Sequence, residues 1–297
     1  MTAPADQLAR VVGLLEMNRP EQALEELARL PGPVATDPHV YRLRAVALST
    51  LDRWDEVAEV ARQGLAEVGP DAELLGRLGL ALRSQGAFAP AERALLDALA
   101  LEPQDPWLLC QYADLCVTVG QTDKASRLLA RAAELAPEHP AVYASRIQLA
   151  YARGHDRAAE RVTREFLGRY PEHPVALALH GGIAVERGRI GDAHRSFGRA
   201  VAHDPDDPDY AEAAWETRVY THPLLLPLRP LYRLGIRVAD RGGQHRRAQP
   251  GQALRPRARR GARLAALQPL VLDRPAPGPP PGPRPVAVMT GRAGRRP

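Results

Sequence analysis

The chain has 297 residues, 45% of them hydrophobic and 5% aromatic, with a formal net charge of +5. That charge is unevenly divided: residues 221–297 hold 16 arginines, no lysine and two acids, leaving 24 basic and 33 acidic residues up to Tyr220. An acidic first part and a strongly basic last part are therefore joined in one chain. Only two cysteines occur, Cys110 and Cys116, six residues apart, which excludes a disulfide framework and matches no zinc or thioredoxin spacing.

Along the chain, the opening M-T-A-P-A-D-Q-L-A-R has neither a basic stretch nor an apolar core, so no secretory leader is expected. No apolar run of about 18 residues follows, so no membrane-spanning helix is expected. Instead a period emerges. Pro103, Pro137, Pro171 and Pro205 recur every 34 residues, and Pro106, Pro140, Pro174 and Pro208 form a second comb three residues behind. A fixed period without insertions signals a repeat architecture.

Aligned on the prolines, the predicted units are 4–37, 38–71, 72–105, 106–139, 140–173 and 174–207, and 208–219 reads as a single capping helix. Units 72–105, 106–139 and 174–207 share a template. A small residue (Gly79, Ala113, Gly181) precedes a glycine (Gly86, Gly120, Gly188), then alanines (Ala91, Ala125, Ala193 and Ala98, Ala132, Ala200). The glycine is where a first helix stops and turns, because it enters left-handed backbone angles without steric cost. The alanines recur seven apart on one face of a second helix and let helices approach closely. The proline ends that helix, having no N–H to donate. Unit 140–173 departs from the template with Ile147 and Phe166 where small residues are expected. Unit 38–71 has Asp52, Val57 and Gly64 at the glycine and alanine places. Unit 4–37 keeps mainly Ala23 and Leu27 in register, as suits an end repeat with one face in water.

On Leu75, Leu78, Gly79, Leu82, Gly86, Ala91, Leu95, Ala98 and Pro103, and the matching Leu109, Tyr112, Ala113, Cys116, Gly120, Ala125, Leu129, Ala132 and Pro137, the chain resembles the tetratricopeptide repeat family, in its bacterial type. The resemblance covers residues 4–219. It implies an all-α, right-handed superhelical solenoid of antiparallel helix pairs, and a protein-binding scaffold in place of an enzyme. It also implies that the first helix of each unit lines a concave groove. The groove residues here would be Arg42, Val46, Leu80, Arg83, Cys110, Asp114, Val117, Ala144, Gln148, Tyr151, Ala178 and Val185. The chaperone-binding subclass of the family clamps a carboxylate with lysines and asparagines. The array has one lysine, Lys124, on a second helix, so that clamp is not expected. The groove is mildly apolar and suits an amphipathic helix or an extended apolar peptide.

Little else points to chemistry. His139 and His173 fall in repeated E-H-P joints and read as surface positions between helices. His180 and His194 stand fourteen apart on different helices. The D-P-D-D-P-D cluster at 204–209 lacks the glycine and terminal glutamate of a calcium loop, and its acids suit the start of the capping helix. No phosphate-cradling loop and no nucleophile elbow occur. No catalytic residue, metal or cofactor is expected.

Residues 220–237 form a Pro/Leu/Arg juxta-segment, and from Val238 onward 42 of 60 residues are Arg, Pro, Gly or Ala. Such a composition cannot pack a core and predicts a disordered tail over 238–297. Three readings fit it: an arginine tail for nucleic acid or anionic membrane, an inert extension, or GC-rich codons read in a shifted frame. On the last, an in-frame relative would be anchored at the inner face of the cell membrane, with the repeats in the cytoplasm.

Overall fold

The computed structural model of the chain describes residues 4–32, 37–205 and 207–221. Among them are thirteen α-helices and no strand. The helices are α1 (Pro4–Glu16), α2 (Pro20–Ala28), α3 (Pro38–Thr50), α4 (Trp54–Val68), α5 (Ala72–Ser84), α6 (Phe88–Leu101) and α7 (Pro106–Thr118). They continue with α8 (Thr122–Leu135), α9 (Pro140–Ala152), α10 (Asp156–Arg169), α11 (Pro174–Glu186), α12 (Ile190–His203) and α13 (Pro208–Thr221). Each helix packs against the next, so the chain advances as a ribbon of antiparallel pairs. The disordered tail expected over 238–297 lies outside the described residues.

Both proline combs find their physical reason at the joints. The first comb follows each second helix: α6, α8, α10 and α12 stop two residues before Pro103, Pro137, Pro171 and Pro205. In the second comb the proline is the first helical residue, and the residue before it stands at the N-cap, where Asp105 and His139 accept from the backbone with their side chains. Proline suits that place because its missing N–H has no helical partner to lose. Asp105 Oδ1 accepts from the Leu108 N–H at 2.8 Å, and at the preceding joint Asp71 Oδ1 accepts from the Leu74 N–H at 2.9 Å. Such a cap contributes about 1 kcal/mol. His139 does the same work with Nδ1, which accepts from the Ala141 N–H at 3.0 Å. Capping folds this ring into the joint, so His139 is buried and not a surface group.

The turns inside the pairs repeat one backbone shape. Gly86, Gly120, Gly154 and Gly188 have positive φ, and so do Asn18 (54°) and Asp52 (56°), at the same register in the two pairs that lack the glycine. Asn and Asp are the side chains that best tolerate this region. In every turn the residue after it donates its N–H back to the helix, as Gln121 does to the Cys116 carbonyl at 2.7 Å. This six-residue closure satisfies a carbonyl that the helix end would otherwise leave open.

The core lies between helices along the whole ribbon. Ala91, Ala98, Ala125, Ala132, Ala193 and Ala200 are fully buried. A Cβ on Gly79 would stand 2.6 Å from the Leu95 side chain, so the small residue is there to let α6 approach α5. Val57 and Phe166, which break the template, are equally buried.

Candidate functional site: the inner helices

The first helices of successive pairs (α3, α5, α7, α9) touch one another directly, while second helices reach their counterparts only marginally. A ribbon curves toward the side on which its elements lie closer, so these first helices form the inner face. The groove residues named from the sequence sort into two levels there. Val46, Leu80, Arg83 and Asp114 are buried, as are Cys110 and Ala144. Arg42, Val117, Gln148, Tyr151, Ala178 and Val185 are part-exposed. The buried set is a floor, and the part-exposed set is the surface a ligand would meet.

Charges are fixed at two places on this face. Arg42 reaches from α3 to the next joint, where Nε and Nη2 donate to Asp71 Oδ2 at 3.0 and 2.6 Å. One carboxylate thus caps α5 and holds Arg42. In the centre Arg83 of α5 faces Asp114 of α7 at 3.6 Å, with both side chains buried. Burial pushes the Asp114 carboxyl up and the Arg83 guanidinium down, and each partner opposes the other's shift. Arg83 Nη1 and Asp114 Oδ1 have no hydrogen-bond partner among the described residues, nor does either amide atom of buried Gln111. Burial also raises the Cys110 thiol well above its ordinary value, which keeps it protonated.

A tetratricopeptide repeat family model matches residues 82–149. No curated protein matches the chain. A tetratricopeptide repeat protein of Thermus thermophilus superposes with a TM-score of 0.56 at 18% identity, over 62% of this chain and 100% of its own. PilW, a widely conserved type IV pilus biogenesis factor, gives 0.51 at 17% identity, over 70% of this chain and 97% of its own. A chain of the APC/C hetero-tetramer Cut9–Hcn1 gives 0.56 at 14% identity, over 72% of this chain and 42% of its own. The helix pairs of residues 82–149 are thus similar to tetratricopeptide repeats, and the array as a whole shares their fold. At such identities the likeness to solved structures concerns the fold alone.

Among the described residues, no group of three or more His, Cys, Asp or Glu could hold a metal ion. In the acidic cluster, Asp207 caps α13, its Oδ1 accepting from the Asp209 and Tyr210 N–H groups at 2.8 and 3.2 Å. Lys124 lies on α8, where Nζ donates to Glu92 Oε1 at 3.0 Å and also bonds the Tyr112 hydroxyl. These bonds hold its charge on, and tie it to α6 and α7. His180 Nδ1 meets Ser196 Oγ at 2.8 Å, linking the two helices of one pair, while His194 stands 3.5 Å from Thr217 of α13.

Sequence reasoning passed over a buried row one place from the groove register. Arg77, Gln111 and Ser145 stand 34 apart on α5, α7 and α9, and all are buried. Arg77 lies over the Trp107 ring at 4.9 Å, and burial lowers its pKa to about 10. The signal was legible: three polar residues at one repeat position of three successive first helices. No helix among the described residues is long and apolar enough to cross a membrane.

Proposed function

We propose that the array is a non-catalytic scaffold that holds a client peptide or helix against its inner helices. The observation that carries this is the set of part-exposed Arg42, Val117, Gln148, Tyr151 and Val185 on the first helices α3, α7, α9 and α11, beside the floor of Val46, Leu80, Arg83 and Asp114. Apolar contact with scattered polar groups selects by shape more than by charge. In this reading six units (4–37, 38–71, 72–105, 106–139, 140–173, 174–207) share the work, closed by a cap over 208–219. It works in the cytoplasm or at the inner face of the cell membrane, a reducing setting that suits two free, buried cysteines.

The division of charge favours one second reading, an electrostatic adaptor. Sixteen arginines after Tyr220 would tether the acidic array to nucleic acid or anionic membrane.

One experiment separates the two. Full-length chain and a Val117→Glu/Tyr151→Glu variant serve as baits in native lysate, washed at low and high salt. Partners that resist salt and are lost from the variant support the groove. Partners that bind both baits and leave in salt assign the binding to the arginine-rich residues and overturn the groove reading.

A further inference from the structure

A repeat ribbon places its turns along one edge and its joints along the other. The two edges are a helix apart, about 20 Å for helices of 13 residues. Neighbouring pairs therefore keep turns and joints separate, and contacts in such an array run between neighbours. Among the described residues one hydrogen bond breaks this pattern. Asn18, in the turn between α1 and α2, donates from Nδ2 to Asp204 Oδ1, in the joint between α12 and α13, across 186 residues. A turn of the first pair can meet a joint of the last only if the ribbon comes round on itself and one edge abuts the other.

We infer that the two ends of the array meet in a latch that holds the ribbon in its tight curvature. Burial at Asp204 agrees. The register equivalents of Asp204 at earlier joints are Glu102, which is exposed, and Ala136 and Tyr170, which are part-exposed, whereas Asp204 is only 4% exposed. On the inner face Cys110 is 0% exposed, packed among residues of neighbouring helices, so its thiol reports any loosening of the ribbon. The pairing is chemically sound: a carboxamide donating to a carboxylate is charge-assisted. Asn18 also holds left-handed backbone, which Asp shares at Asp52, so the latch residue can be changed without disturbing its turn.

The latch is tested in the full-length chain with Cys116→Ala, which leaves Cys110 as the only thiol. Asn18→Asp sets two carboxylates against each other and keeps the turn. Asn18→Asp/Asp204→Asn restores the pair with its roles exchanged. Labelling of Cys110 by a maleimide and the radius of gyration from small-angle X-ray scattering are read for all three. Asn18→Asp should label about tenfold faster and expand, because like charges in contact oppose closure, and the exchanged pair should return to the parent. Unchanged labelling and size in Asn18→Asp would overturn the latch. So would any change, including loss of helicity, that Asp204→Asn fails to reverse. Neither readout involves a client, so the outcome stands apart from the groove test.

Discussion

The joint between α6 and α7 and the joint between α10 and α11 occupy the same register and solve the same packing problem with sizes exchanged. At the first, fully buried Ala98 faces Trp107 and Leu108, and Gly76 leaves space for the indole, since a Cβ there would stand 2.5 Å from the Trp107 ring. At the second, Phe166 takes the alanine's place and faces Val175 and Ala176. Its ring stacks on Tyr143 at 5.0 Å and meets His173 at 5.1 Å. The interface as a whole is filled in both, so the repeat period fixes where a contact lies and leaves open which side supplies the volume.

Three changes put this exchange of sizes to the test. The largest effect is expected from Phe166→Ala, which empties the second joint without enlarging Val175 or Ala176. A loss of about 3–5 kcal/mol is expected in urea unfolding. A loss under about 1 kcal/mol would mean that the joint collapses freely and the exchange carries no stability.

Next comes acid. Burial against Phe166 lowers His173 to about 4, while an unfolded chain protonates it near 6.5. The unfolded state then binds more protons between these values, so stability is full above about 6.5 and falls by about 2–3 kcal/mol as pH drops toward 4. His139 is lowered in the same sense by burial. His173→Phe should flatten most of the slope in a pH series of thermal melts, leaving the His139 part. An unaltered slope would assign the acid sensitivity elsewhere.

The smallest effect contrasts two turns. Gly120 sits at φ +83°, so Gly120→Val should cost about 1–2 kcal/mol in the middle of the array. Asp52 holds the equivalent turn at φ 56°, and Asp52→Gly should change stability by no more than about 0.5 kcal/mol. Hydrogen exchange of the flanking helices would report both. Equal costs would show that the turn conformation is not what the glycine supplies.

The repeating frame was legible in the residues themselves: which of them cap, which turn, which stop a helix and which must be small. These are local requirements of backbone geometry, so a proline before a first helix or a glycine at positive φ can be read wherever it stands. The same register named the inner-face positions, since it decides which side of a helix each residue occupies. How deep those positions lie came instead from packing across the array. Leu80 and Val117 share a face in the register, yet the first is floor and the second is surface, because depth depends on how tightly neighbouring first helices approach. Packing also settled that Phe166 is compensated and that His139 turns inward to cap. Asn18 and Asp204 belong to this second class as well. Their meeting depends on a small curvature added pair by pair across the array, and no local pattern encodes such a sum.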